Sequence, residues 1–223
     1  MSRRTKGQFL WHELMTSDPS TAKAFYPGVT GWKTEAWDQD KSYTLWLSPQ
    51  GPVGGCMALP PEAAKASAPP HWMSFVGTPD VDATCAEIRK LGGGVLREPW
   101  DISSVGRVAI LKDPQGAVFA VYKPAGDAPG HDGRPRRGDF SWHELATTDP
   151  KAAFGFYGKR FGWKELEAHD MGPAGTYWIF GMDAPMGGVY EKPDMVRCRT
   201  GCPTRWCPTR TRPWTRSRRA EAP

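Results

Sequence analysis

The chain of 223 residues is long enough for one large or two small domains, and its 39% apolar residues include 11 tryptophans. No apolar run approaches the roughly 20 residues that span a bilayer. The twin arginine near the N-terminus is not followed by an apolar signal region, so we expect a cytoplasmic protein with no membrane partner.

The formal net charge of +5 comes from the last part of the chain. Residues 195–223 hold eight arginines and one acid, and without them 21 basic and 23 acidic residues remain. This balance argues against the cationic surface that binding to a phosphate backbone requires, and we predict no nucleic-acid partner.

In chain order, the first predicted elements are a strand, a helix and three strands. Residues 9–15 alternate as a strand does, with Leu10, His12 and Leu14 on one face and Phe9, Trp11 and Glu13 on the other. The Asp-Pro pair at residues 18–19 begins a helix that glycines end near residues 28–31. Strands are expected over residues 32–37, 43–47 and 53–59.

The same order of elements follows after a Pro-rich connection. A strand over residues 71–76 precedes a helix that begins at residues 79–82 and ends at the glycines of residues 92–94. Three further strands are predicted over residues 95–100, 107–111 and 117–122. Residues 125–137 are rich in Gly, Pro and charge, and we interpret them as a linker.

An internal repeat follows the linker. Residues 9–19 (FLWHELMTSDP) recur as residues 140–150 (FSWHELATTDP), and the match continues at a constant offset through the Gly-Trp-Lys segments at residues 31–33 and 162–164. Pro-x-Gly-Gly at residues 52–55 is echoed at residues 185–188. The chain therefore contains a complete first domain over residues 7–124, with modules at 7–60 and 70–124, and a half domain over residues 138–194.

Residues 195–223 do not continue this pattern. Their composition of Arg, Thr, Pro, Trp and Cys is typical of a disordered basic tail. Read two bases out of frame with suitable synonymous codons, residues 199–223 can encode a sequence parallel to residues 71–94. We therefore predict a frameshift or a sequencing error near codons 195–199, and a non-native tail. The half domain would then pack on the first domain, form a homodimer or be marginally stable.

These motifs resemble the vicinal-oxygen-chelate superfamily of glyoxalase I, extradiol dioxygenases and bleomycin resistance proteins. The resemblance rests on the Asp-Pro, Phe-Tyr and Gly-Trp motifs of residues 18–32 and on the Asp-Pro-Gln-Gly turn of residues 113–116. It implies an α+β fold in which paired βαβββ modules form a cupped mixed sheet with the helices outside. The ligand would lie inside the cup of the one complete domain.

In this superfamily a divalent metal in the cup is held by His, Glu or Gln side chains. The corresponding positions here fall on Trp11, on Trp142 in the repeat, on Trp72 or Met73, and on Ala120. Because indole and methyl groups cannot ligate Mg²⁺, Mn²⁺, Fe²⁺ or Zn²⁺, we predict no metal and no other cofactor. We expect His12 to be a hydrogen-bonded histidine beneath the helix.

Glu13 is the candidate catalytic residue, because a partly desolvated carboxylate has a raised pKa that suits a general base. The alternative role is a Glu13–Arg107 ion pair at the mouth of the cup. The predicted ligand-binding set comprises Trp11, Glu13, Trp46, Met57, Trp72, Phe75, Arg107, Ala120, Trp142 and Glu144.

The sequence favours a protein that binds a small aromatic or hydrophobic molecule in a Trp-lined cup without a metal. A metal-dependent enzyme of glyoxalase, hydroxylase or dioxygenase type remains an alternative, as does an enzyme that uses Glu13 without a metal. A truncated product with little activity is a third possibility. The substrate cannot be named from the fold, because one fold carries many functions.

Overall fold

The computed structural model describes residues 6–65, 67–126, 136 and 138–193, together with the backbone of residues 205–209. Most of the linker at residues 125–137 and most of the tail at residues 195–223 lie outside these described residues, and so does the predicted frameshift point. No helix in the described part of the chain is long and apolar enough to span a bilayer.

The first module has the predicted order of elements. They are β1 (Phe9–Thr16), α1 (Pro19–Thr30), β2 (Lys33–Trp37), β3 (Asp40–Ser48) and β4 (Gly51–Ala58). The Asp18 carboxylate accepts a hydrogen bond from the Thr21 amide at 2.9 Å and so caps α1. Gly31 ends the helix with φ 72°, a conformation that glycine adopts without a steric cost. A short helix that the sequence did not predict, α2 (Pro61–Lys65), leads to the second module.

The second module completes the first sheet. Its elements are β5 (His71–Gly77), α3 (Val81–Lys90), β6 (Gly94–Ile102), β7 (Gly106–Lys112) and β8 (Val118–Pro124). The order of the strands is β2-β3-β4-β1-β5-β8-β7-β6, and the modules meet where β1 and β5 pair antiparallel. The helices cover one face of this sheet, and the opposite face is the one that would line the predicted cup. The α+β architecture of paired βαβββ modules is therefore confirmed.

The third module repeats the first. Its elements are β9 (Trp142–Thr147), α4 (Pro150–Phe161), β10 (Lys164–Asp170), β11 (Thr176–Gly181) and β12 (Pro185–Glu191). The backbone of β13 (Arg205–Thr209) pairs antiparallel with β9, as β5 pairs with β1. Its residue Arg205 also pairs with Val118 of β8, which joins the strands into one continuous sheet.

A pseudo-twofold axis relates the first and third modules. The Trp32 indole N–H donates to the Gly138 carbonyl at 2.7 Å, and the Trp163 indole N–H donates to the Gly7 carbonyl at 2.8 Å. These two bonds are the same contact made in both directions. Such reciprocity defines an isologous interface, here inside a single chain.

Two further contacts lie on the same axis. Phe9 stacks on His143 with ring centroids 3.6 Å apart, and Phe140 stacks on His12 at 3.8 Å. At the centre, the Nε2 atoms of His12 and His143 are 2.7 Å apart, so one ring donates and the other accepts. His12 is thus a buried, hydrogen-bonded residue, as predicted, and its partner is its own copy in the repeat.

The prediction that Phe9 shares a face of β1 with Trp11 and Glu13 was wrong. The pairing of β1 with β5 shifts register between Phe9 and Trp11, which is the signature of a β-bulge. The extra residue turns Phe9 away from the face of Trp11 and Glu13 and toward His143. Strict alternation cannot anticipate such a shift, because the sequence around residue 10 carries no glycine that would mark it.

Candidate functional site

The sheet of the first domain carries an apolar cluster on the face opposite the helices, which we call the cup face. Met15, Met73, Phe75, Val108 and Ala120 are buried in it. Partly exposed residues complete the wall, namely Trp11, Met57, Leu59, Trp100, Ile102, Ile110, Val118 and Tyr122. Since aromatic and aliphatic side chains dominate this surface, it has the composition of a site for a small apolar molecule.

Three side chains on this face form a hydrogen-bonded polar group within the apolar surface. The Tyr43 hydroxyl donates to the Glu13 carboxylate at 2.8 Å and accepts from the Trp11 indole N–H at 3.1 Å. Trp11 and Glu13 are two residues apart on β1 and therefore share a face, while Tyr43 reaches them from β3. Sequence analysis identified the first two residues and missed the tyrosine that joins them.

We call Trp11, Glu13 and Tyr43 the triad of the first module, and the third module contains an equivalent triad. The Tyr177 hydroxyl donates to the Glu144 carboxylate at 2.8 Å and accepts from the Trp142 indole N–H at 2.7 Å. The duplication of all three side chains with the same bonding pattern shows that the triad is a property of this βαβββ module. In the third module it lies on β9 and β11, and among the described residues only the strand β13 lies where the first module has β5.

The Gly-Gly pairs of β4 and β12 make room for the two tyrosines. A Cβ atom on Gly55 would overlap the Tyr43 hydroxyl, and a Cβ atom on Gly188 would overlap the ring and hydroxyl of Tyr177. Because glycine has no Cβ, each tyrosine ring can lie flat across the neighbouring strand and reach the glutamate. This contact explains the Pro-x-Gly-Gly echo and is the sequence signal that could have revealed the tyrosines.

Burial controls the charge of Glu13. Desolvation raises the pKa of the Glu13 carboxyl above its ordinary value, while the hydrogen bond from Tyr43 and the positive charge of Arg97 act in the opposite direction. Burial and the neighbouring Glu13 also raise the pKa of Tyr43, so its hydroxyl remains a donor. In the copy, burial is the main cause that raises the pKa of Tyr177 to about 12.

The cation near Glu13 is Arg97, not Arg107, so the predicted pairing of Glu13 with Arg107 was wrong. Arg107 lies on the helix side of the sheet, where it binds Asp82 through two hydrogen bonds of 2.7 and 2.9 Å and Asp101 through one of 2.9 Å. Arg97 stacks on Trp100 with its guanidinium carbon 3.7 Å from the ring centroid.

Two predicted cup residues, Trp46 and Trp72, lie on the opposite face of the sheet. Both pack beneath α1 in a cluster with Leu14 and Trp32. Trp46 is fully buried and donates to the Gly55 carbonyl at 2.9 Å, and Trp72 donates to the Tyr26 hydroxyl at 3.0 Å. The cause is the period of a strand, which puts residues an odd number of positions apart on opposite faces.

The remaining predicted residues are placed as follows. Met57, Phe75 and Ala120 belong to the apolar cluster of the cup. Trp142 and Glu144 belong to the second triad on the third module. Trp100 and Arg97 on β6 and Tyr122 on β8 were missed by the sequence analysis, because nothing in the local sequence distinguishes them from other strand residues.

The donor atoms of the cup do not suit a divalent metal. The positions where the resemblance would place ligands carry Trp11, Met73 and Ala120, and the one nearby carboxylate, Glu13, accepts from Tyr43. Among the described residues no group of three or more His, Cys, Asp or Glu side chains could hold a metal ion. Hard divalent cations prefer several oxygen or imidazole ligands, and this wall offers one carboxylate.

Comparison with known sequences gives two groups of relatives. The sequence profile of the Glyoxalase/Bleomycin resistance protein/Dioxygenase superfamily matches residues 8–121. The chain is 41% identical over 121 residues to "Putative glyoxylase CFP32" of Mycobacterium tuberculosis, across 53% of this chain and 45% of that protein. It is 28% identical over 203 residues to the anthracycline biosynthesis protein DauV of Streptomyces sp. strain C5, across 86% of this chain and 73% of that protein. The chain thus aligns with less than half the length of the mycobacterial relative.

Solved structures share the fold. A Mn(II)-bound glyoxalase from Novosphingobium aromaticivorans superposes with a TM-score of 0.55 at 16% identity, over 86% of this chain and 64% of that chain. A mutant of 4-hydroxymandelate synthase from Streptomyces coelicolor gives a TM-score of 0.63 at 12% identity, over 91% and 69% of the two chains. At these identities the likeness concerns the arrangement of strands and helices.

Proposed function

The chain belongs to the glyoxalase/bleomycin resistance protein/dioxygenase superfamily, and from that premise we propose that its first domain binds a small aromatic or hydrophobic molecule without a metal. The observation that carries this proposal is the apolar composition of the cup face. Aromatic rings, methionines and an alanine occupy positions where metal chemistry would need imidazole or carboxylate ligands.

The triad gives the expected ligand a polar feature. A molecule that lies against the apolar wall would meet the Glu13 carboxylate, an acceptor that the hydrogen bond from Tyr43 holds in place. We therefore expect a flat ring system with at least one hydroxyl group that donates to Glu13. The 28% identity with an anthracycline biosynthesis protein supports a polycyclic aromatic class, since anthracyclines are hydroxylated fused rings.

Binding can be tested by the quenching of tryptophan fluorescence with a hydroxylated anthraquinone as the probe. We expect saturable quenching that EDTA does not change. The variant Ala120→Phe adds a ring inside the cup and should weaken binding about tenfold, a loss of about 1.4 kcal/mol. The matched control Ala58→Phe adds the same ring at an exposed position of β4 and should bind as the parent does.

Both variants should first be checked by thermal unfolding, because an added ring in a packed wall can strain the fold. A stoichiometric divalent ion in the purified protein, together with loss of binding in EDTA, would contradict the metal-free proposal. It would favour the alternative of a metal-dependent glyoxalase, hydroxylase or dioxygenase.

A second candidate function is catalysis by Glu13 without a metal. The raised pKa of a carboxyl group inside an apolar wall favours this role, because a general base works best when its pKa lies near the working pH. The variant Glu13→Gln separates the candidates. A catalyst would lose turnover by a factor of about 100 or more while retaining ligand, whereas a binding protein would show no turnover to lose.

A further inference from the structure

Arg97 of β6 differs from the other arginines of the chain in what surrounds its charge. The structure describes the side chains of five arginines. Four of them bind carboxylates, in the pairs Arg89–Glu98, Arg107–Asp82, Arg107–Asp101, Arg136–Asp139 and Arg160–Glu87. Within the described part of the chain, Arg97 forms no ion pair. Its guanidinium group instead lies over the Trp100 ring, with its carbon 3.7 Å from the ring centroid.

The register of β6 on β7 places Arg97 on the cup face. Arg97 pairs with Ile110, which belongs to the apolar cluster of that face. Residues that pair across neighbouring strands point to the same face of a sheet. The next residue of β6, Glu98, binds Arg89 of α3 and therefore lies on the helix side. The charge of Arg97 is thus on the same face as the triad of the first module.

Arg97 and Glu13 are the two charged groups that act on one another across this face. The positive charge of Arg97 opposes the rise in the pKa of Glu13 that burial causes. The two side chains form no ion pair, because the Glu13 carboxylate accepts from Tyr43 and the guanidinium group stacks on Trp100. The cup face therefore presents an acceptor and a cation at separate positions of an apolar surface.

The stacking on Trp100 orients the guanidinium group of Arg97. A guanidinium group stacks through its planar face, and its N–H donors lie in the plane, at the edge. The donors of Arg97 thus remain available, and they form a fork that matches the two oxygens of a carboxylate. Because the stack already restricts the side chain, less rotational freedom is lost when an anion binds.

We infer that Arg97 is the anion-binding residue of the cup face and that the ligand is an aromatic carboxylic acid. The inference rests on the proposed function and narrows its ligand class from hydroxylated aromatic molecules to those that also carry an acid. The carboxylate of the ligand binds Arg97 and its hydroxyl group donates to Glu13. The reverse orientation would bring two carboxylates together, which like-charge repulsion disfavours.

The test compares two probes that differ only in charge. One is a hydroxylated anthraquinone with a carboxylate on its ring, and the other is the carboxamide of the same molecule, which has nearly the same size and is neutral. Both carry the ring system and the hydroxyl group that the proposed function requires. Only the first can form a charge-assisted pair with Arg97.

Quenching of tryptophan fluorescence gives the affinity of each probe for the full chain. We expect the acid to bind about tenfold more tightly than the carboxamide at low salt, because charge-assisted hydrogen bonds are stronger than neutral ones. Arg97 is exposed to solvent, so this preference should decrease as the salt concentration rises.

The variant Arg97→Met removes the charge and keeps an unbranched side chain that can still cover Trp100. It should bind the acid as weakly as the carboxamide, while its affinity for the carboxamide stays within about twofold of the parent and shows that the cup is intact. Arg89→Met is the matched control, because Arg89 is an exposed arginine on the helix side. This variant should keep the tenfold preference for the acid.

Lys112 is a second cation on this face, since it pairs with Val118 of the apolar cluster. A preference for the acid that persists in Arg97→Met and disappears in Lys112→Met would overturn the inference in favour of Lys112. Equal affinities of the parent for the two probes would overturn it as well and leave the proposed function standing. If the parent binds neither probe, the proposed function fails and the inference fails with it.

Discussion

Tyr43 is the residue on which the polar side of the site depends. Its hydroxyl satisfies both the Trp11 indole N–H and the Glu13 carboxylate. We predict that Tyr43→Phe destabilises the protein by about 1–3 kcal/mol, because two partly buried polar groups lose their partner. Urea denaturation measures this change. The same variant should raise the pKa of Glu13 further, because it removes the hydrogen bond from Tyr43 that lowers this pKa. NMR titration of a labelled Glu13 carboxyl measures the change, and a decrease in the pKa would contradict the prediction.

Gly55 supports that tyrosine through the side chain that it lacks. We predict that Gly55→Ala costs about 1–3 kcal/mol, because the added methyl group overlaps the Tyr43 hydroxyl and must displace it. Gly28→Ala is the matched control. A Cβ atom at Gly28 in α1 meets no atom within 4 Å, and alanine favours a helix over glycine by up to about 1 kcal/mol. Equal melting temperatures for both variants would contradict the steric role of Gly55.

At the scale of elements, the junction of β1 and β9 depends on a neutral histidine. Burial lowers the pKa of His12 well below the ordinary value of about 6.5 for histidine, and the nearby His143 adds to this shift. The unfolded chain therefore binds more protons at this site than the folded chain does, and stability is present above pH 6.5 and falls as the pH decreases below it. His143 is the titratable group that contacts the ring of His12 in the described structure.

We predict that the free energy of unfolding decreases by up to about 1.4 kcal/mol for each pH unit below 6.5 through this one site. His12→Gln keeps a hydrogen-bonding side chain and removes the titration, so it should flatten this slope at the cost of some stability at pH 7.5. Urea denaturation at pH 7.5, 6.5 and 5.5 measures the slope. An unaltered slope in the variant would assign the acid sensitivity to another group.

The helices α1 and α4 offer a second test at this scale. Phe156→Ala should cost about 3–5 kcal/mol, because it leaves a cavity in the largest buried cluster. Phe25→Ala removes the same ring from an exposed position and should stay within about 0.5 kcal/mol of the parent. Thermal unfolding of the two variants side by side checks the contrast, and a large loss for Phe25→Ala would mean that α1 is covered.

The order of elements could be predicted from sequence because each module carries strong local signals. Asp18, Asp80 and Asp149 cap their helices as expected, and Gly31 and Gly162 end theirs. The faces of the strands were predicted less well. Trp46 and Trp72 were assigned to the cup because they are aromatic, although strand alternation from Tyr43 and Phe75 places them beneath α1. Contacts between distant strands, such as Tyr43 with Glu13, leave no local pattern, and only the glycine pair records them.

The whole molecule is organised by the pseudo-twofold axis, and this symmetry sharpens the expectation about the gene. The described residues hold three modules, and the backbone of β13 pairs with β9 as β5 pairs with β1. Some shifted-frame codons are independent of synonymous choice, since Trp206-Cys207 must then encode Val and Trp214-Thr215 must encode Asp. We predict that the gene, read two bases out of frame from codons 195–199, continues with a His-Trp strand, a Pro-Asp helix start and a glycine run. Sequencing the DNA decides this, and a stop codon or an unrelated sequence in that frame within codons 199–223 would refute the frameshift.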